Sequence, residues 1–178
     1  MEEFFSMQND YAELLRECKA FLGKRVLGVQ WLFKYTLTIE CCDPSDPICL
    51  PERRGEERRN WFIWLWMPDW TICNRGGDVV ATRPTPDERS GERSIEFGSH
   101  LIGSDIEQFE IDKLNSSIVV SLSNGNSLRT GPCIDGADAT DDEVCWMALF
   151  PNHVALEVGY NGQRWKRVLT QPRKRNKA

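Results

Sequence analysis

Only two imidazoles, His100 and His153, are available to a chain of 178 residues, and general acid–base and triad chemistry draw on histidine more than on any other side chain. His100 lies in Gly98-Ser99-His100 and His153 follows Pro151-Asn152, and both read as ordinary structural residues. There is no Gly-x-Ser-x-Gly elbow, no Gly-x-x-x-x-Gly-Lys-Ser/Thr phosphate cradle, no dinucleotide fingerprint and no His-Glu-x-x-His. Seven cysteines (Cys18, Cys41, Cys42, Cys49, Cys73, Cys133 and Cys145) contain no Cys-x-x-Cys knuckle on which a tetrahedral zinc site is usually built. Their odd number, in a chain that opens without a basic and apolar leader, reads as free thiols in a reducing cytoplasm. The acidic run Asp135-Gly136-Ala137-Asp138-Ala139-Thr140-Asp141-Asp142-Glu143 suggests calcium, but an EF-hand loop needs oxygen ligands where Ala137 and Ala139 stand. The sequence therefore calls for no catalytic residue, metal or cofactor.

Recognition chemistry is better represented. Residues 164–178 carry seven basic side chains and no acid, which leaves 15 basic against 27 acidic side chains on the remainder, a net of −12. Such a body repels nucleic acid and attracts a basic protein. Asp135, Asp138, Asp141, Asp142 and Glu143 are the candidate contacts. Trp61, Trp64, Trp66 and Trp70 fall within ten residues, and strand geometry puts Trp64, Trp66 and Trp70 on one face, either as core or as an aromatic platform for a partner. The longest apolar stretch, Trp61 to Met67, is far short of the roughly 20 residues of a spanning helix, so no membrane is expected.

These residues need a scaffold, and the periodicity describes one: an α+β fold, mainly antiparallel β, with an amino-terminal amphipathic helix over 9–22 from the apolar spacing Tyr11, Leu14, Leu15, Cys18, Phe21, Leu22. Strict alternation predicts one strand from Val29 to Glu40, and strands at 61–67, 70–73, 78–82, 117–123, 127–130, 144–150, 153–159 and 163–169, joined by turns such as Asn124-Gly125. Residues 41–60 and 83–94 read as polar loops. Within this single domain of 1–178, Phe21-Leu22-Gly23-x-x-Val26-x-x-Val29-x-Trp31 matches Leu101-Ile102-Gly103-x-x-Ile106-x-x-Phe109-x-Ile111 at an offset of 80. Thr36–Ile39 matches Val119–Leu122, and Trp64–Asp69 matches Met147–Asn152, at an offset of 83. The chain thus divides into pseudo-repeats over 21–82 and 101–169, with a basic tail over 170–178.

The run Leu101-x-Gly103-x-x-Ile106, a strand ending in Asn124-Gly125, the acidic loop and Cys145-Trp146-x-x-x-x-Pro151-Asn152 resemble small uncharacterised bacterial domains. Some of those are immunity proteins of toxin–immunity pairs, and the likeness is clearest over 101–165. The resemblance implies a protein-binding inhibitor that occludes a toxin, often a basic nuclease, and carries no catalytic residue across. A self-associating interaction module, with a homodimer built through the tryptophan-rich strand, is the competing expectation, followed by a small hydrolase-type enzyme and, last, nucleic-acid binding through the tail.

Overall fold

Alternating burial organises the molecule, because each strand turns every second side chain toward one shared interior. The computed structural model describes residues 11–32, 36–46, 60–66, 69–83, 98–132, 144–159 and 165–169. Helix α1 (Tyr11–Cys18) runs into a 3-10 turn over Lys19–Phe21, and its inward residues Leu14 and Cys18, like Phe21, are fully buried. Eleven strands follow among the described residues: β1 (Arg25–Leu32), β2 (Thr36–Cys42), β3 (Trp61–Leu65), β4 (Trp70–Cys73), β5 (Val79–Thr82), β6 (Ile106–Ile111), β7 (Ile118–Leu122), β8 (Ser127–Thr130), β9 (Val144–Leu149), β10 (Val154–Gly159) and β11 (Trp165–Leu169). They form two antiparallel sheets, one ordered β1-β2-β3-β9-β10-β11 and the other β5-β4-β8-β7-β6. Among the described residues no helix is long and apolar enough to cross a membrane.

Two rows of side chains show how the sheets close on each other. Val29, Ile39, Ile63, Ala148 and Leu156 are successive register partners across the six-stranded sheet. Phe109, Val120, Leu128, Ile72 and Ala81 make the matching row across the five-stranded one. All are buried in a single apolar cluster, and an aliphatic side chain so buried contributes about 1.5–3 kcal/mol. An apolar void of about 10 Å³ lies where Val26, Ile39 and Ile63 face Val120, Leu122 and Leu128. It has room for about one water and no polar group to hold it.

Neither sheet belongs to one half of the chain. β1-β2-β3 are completed by β9-β10-β11, and β6-β7-β8 by β4-β5. The same hydrogen bonds recur in both halves. Gly23 N–H donates to the Ile106 carbonyl at 2.8 Å, and Gly103 N–H to that of Val26 at 2.9 Å. Val26 N–H donates to Ser104 at 2.9 Å and Ile106 N–H to Lys24 at 2.8 Å. Where the chain crosses between sheets, Trp66 N–H donates to the Cys145 carbonyl (3.0 Å) and Gly131 N–H to that of Asp69 (2.6 Å). In the following turns Asn74 N–H reaches the Asp78 carbonyl as Phe150 N–H reaches that of Val154, and the left-handed Gly77 (φ +88°) is matched by His153 (φ +61°). Register slips also coincide, between Val26 and Gly28 and between Ile106 and Gln108.

Several expectations change. The single strand over 29–40 is two strands, because Leu32 at the end of β1 pairs antiparallel with Thr36 at the start of β2. Both strands alternate, and the sequence Phe33-Lys34-Tyr35 between them carries no glycine, proline or asparagine to mark the division. Residues 106–111, read only as a lead-in, form an edge strand. Ile39 lies opposite Val29 as Val120 lies opposite Phe109, an offset of 81 for the second strands where 83 was expected. The two-residue difference leaves every side chain on its expected face. Trp64 and Met147, expected to hold equivalent places, are register partners on neighbouring strands of one sheet. The predicted helix start at 9–10 and the tail over 170–178 fall outside the described residues.

Ser116 shows how tightly the elements are tied. It is fully buried with a left-handed backbone (φ +56°), its hydroxyl meets the Tyr11 hydroxyl at 2.8 Å, and its carbonyl accepts from Trp146 Nε1 at 2.9 Å. Helix α1, the β6–β7 turn and the six-stranded sheet meet there. Gly23 (φ +75°) and Gly103 (φ +85°) turn the chain into the seam between β1 and β6, and a Cβ at either position would meet nothing within 4 Å. Gly23→Ala and Gly103→Ala are therefore expected to destabilise through backbone strain alone, by about 1–2 kcal/mol each. Urea unfolding with an unchanged denaturant slope checks this.

Candidate functional site

Strand β3 is paired on both edges, with β2 and β9, so its side chains are available only above and below the sheet. Trp61, Ile63 and Leu65 turn inward, and Trp61 packs edge-on against Phe21 and Phe150 at 5.3 and 5.4 Å. Trp64 and Trp66 turn outward and are half-buried, their rings 5.6 Å apart at 64°. Trp70 does not join them. The chain leaves the first sheet after Leu65 and begins β4 in the second, where Trp70 is 1% exposed in the core. The shared face predicted for the three holds for a continuous strand, and the crossover ends that continuity. Trp64 Nε1 and its register partner Thr38 Oγ1 are both withdrawn from solvent on this outer face, without a hydrogen-bond partner among the described residues.

The acidic candidates Asp135, Asp138, Asp141, Asp142 and Glu143 lie outside the described residues, but the run's attachment is described. It ends where β9 begins at Val144, and the next residue, Cys145, accepts the Trp66 N–H through its carbonyl. Trp64 and Trp66 therefore share the end of β3 and β9 at which the acidic run joins the sheet. Beside Trp64 stands Met147 and, one strand further, Glu157, which pairs with Lys166 of β11 at 3.0 Å. Tryptophan faces next to carboxylates suit arginine and lysine side chains, through cation–π contact and charge-assisted hydrogen bonds.

Cysteine chemistry departs from expectation. Cys145 is disulfide-bonded, and its partner lies outside the described residues. Cys18, Cys41, Cys42 and Cys73 are buried thiols that form no disulfide. Burial raises the Cys18 thiol to about 12 and pushes Cys41 up as well, with the neighbouring Glu17 and Cys42 adding to the respective shifts. Such thiols are inert at neutral pH. The reading of all seven as free thiols fails at Cys145, because pairing depends on which cysteines the fold brings together. Cytoplasmic placement loses that support, since disulfides persist chiefly in oxidising compartments.

Elsewhere the polar groups serve the fold. Lys24 Nζ sits 2.7 Å from Asp43 and 5.0 Å from the centre of the Trp61 ring. Hydrogen bonds from Lys24 and then Ser45 hold the Asp43 carboxyl well below the usual carboxylate range. Any stability it contributes is present above the ordinary carboxylate pKa and is lost as pH falls toward the lower folded value. The His100 carbonyl accepts from the side chains of Asn124 and Asn126 at 3.0 and 2.8 Å, fixing the helical turn over 98–101 to the β7–β8 hairpin. Among the described residues no group of three histidine, cysteine, aspartate or glutamate side chains is placed to hold a metal ion. In comparisons with protein families, curated proteins and solved structures, the chain matches none.

Sequence reasoning found Trp64 and Trp66 but missed their link to the acidic run, which rests on the long-range pairing of β3 with β9. Differential alkylation tests the cysteine assignment. In native protein Cys18 and Cys41 should resist iodoacetamide at pH 8. Unfolding without reductant should release Cys18, Cys41, Cys42 and Cys73 to the reagent while Cys145 stays unlabelled, as read by peptide mass spectrometry.

Proposed function

We propose that the protein is a protein-binding inhibitor, most specifically an immunity protein that occludes the active site of a basic toxin such as a nuclease. The observation that carries this reading is the Trp66 N–H to Cys145 carbonyl bond, which joins an outward tryptophan pair to the strand that receives the acidic run. A net charge of −12 on the chain before residue 164 supports it. Carboxylates presented to a nuclease cleft take the place of phosphate, and opposite net charges speed encounter by steering. Tryptophan beside them supplies rigid contact area and stacks on the partner's arginines.

We further infer that the scaffold arose as two copies of one five-stranded unit that exchange their last strands. Matched hydrogen bonds at the seam, the crossovers and the turns support that reading. In this arrangement β1, β2, β3, β4 and β5 correspond to β6, β7, β8, β9 and β10. Strand β11 is then an addition to the second copy.

Affinity capture of the tagged protein from its own cell lysate, at low and moderate salt with mass spectrometry, tests the inhibitor reading. One stoichiometric basic protein is expected, with its enzymatic activity restored on removal of the bait. Neutralising Asp135, Asp138, Asp141, Asp142 and Glu143 to their amides should slow association about tenfold or more at low salt. Trp66→Ala should weaken the complex about tenfold. Recovery of the bait alone, or capture indifferent to both variants, would overturn the proposal.

A further inference from the structure

The four strands at the ends of the two sheets are not protected alike. β1 carries Arg25, β6 carries Glu107 and Glu110, and β11 carries Lys166 and Arg167, whereas β5 is Val79-Val80-Ala81-Thr82 with no charge. Charged side chains on an edge strand are a common guard against pairing with another chain. β5 lacks that guard and exposes its apolar side chains, Val79 at 56% and Val80 at 38%. In the other sheet β10 follows a turn with the same hydrogen bonds, but β11 covers its outer edge, and Val154, Ala155 and Leu156 are buried. Among the described residues no strand occupies the corresponding place beside β5. This comparison rests on the equivalence of β5 with β10 inferred above, while the exposure of β5 stands without it. Arg83 N–H donates to the Trp70 carbonyl at 2.9 Å. The alternation of an antiparallel ladder then directs the backbone groups of Thr82 away from β4.

We propose that β5 is a self-association edge, on which a second copy of the chain lays its own β5 antiparallel, joining the two five-stranded sheets into one. Charge selects both the partner and the direction. Asp78 and Arg83 flank the strand, Arg83 also pairing with Asp69 of its own chain at 3.1 Å, so an antiparallel pair brings the Asp78 end of each copy to the Arg83 end of the other. A parallel pair would set like charges together. The antiparallel arrangement is isologous and closes as a two-fold dimer. The contact is a short one and dissociates on dilution. It lies in the five-stranded sheet, whereas the tryptophan pair lies on the outer face of the six-stranded one, so both surfaces can be used together.

Sedimentation equilibrium of the full chain from dilute to concentrated solution tests the proposal. The mean mass should rise from 20.5 kDa toward twice that value. Hydrogen exchange at the Thr82 amide should slow over the same range. Val80→Lys and, independently, Thr82→Lys should hold the chain at a single mass with unchanged circular dichroism. Either substitution should leave capture of a basic partner intact, which separates failure here from failure of the inhibitor reading. A mass of 20.5 kDa at every concentration would overturn the proposal. So would a dimer that survives both lysines, or a monomer that instead binds an added extended peptide along β5.

Discussion

Four backbone hydrogen bonds between the start of β1 and the start of β6 hold the two sheets at a fixed angle and spacing. They are made by Gly23, Val26, Gly103 and Ile106, and they form only because the chain can enter the left-handed region at Gly23 and Gly103. Arg25 and Asp105 face each other across the same seam, with guanidinium-to-carboxylate distances of 2.8 and 3.2 Å. That pair is partly exposed and adds little beside the backbone bonds, though it fixes their register. With the corner set, Phe109 of one sheet meets Trp146 of the other at 6.1 Å, and Phe21 fills the space between Trp61, Phe109 and Phe150.

Because the chain crosses between sheets after β3 and again between β8 and β9, neither half can bury its apolar row alone. Ile63 needs Ala148, and Leu128 needs Ile72. Many of the contacts then join residues far apart in sequence, which slows folding. Surfaces follow from the same exchange. The six-stranded sheet presents tryptophan, methionine and the root of an acidic run at its centre. The five-stranded sheet turns outward the row Glu110, Val119, Arg129, Thr71 and Thr82.

Period-two alternation and turn residues were enough to predict most strands. The division between β1 and β2 was not legible, because two paired strands that both alternate have the same local pattern as one long strand. Two outward tryptophans of the candidate site were legible from their spacing. Trp70 was misplaced because parity carries side chains to one face only while the strand continues. The disulfide at Cys145 left no trace in cysteine spacing.

By itself the amino-acid sequence determined the mainly antiparallel class, the inward set of side chains, the acidic balance and the likeness of 21–31 to 101–111, since these depend on local sterics, periodicity and charge. Tertiary structure alone decided which strands share a sheet, that Trp66 lies beside Cys145, and that β5 is an end strand among the described residues. Those outcomes depend on pairing between residues tens of positions apart, where many registers satisfy the same local pattern and only the packing of the whole interior selects one.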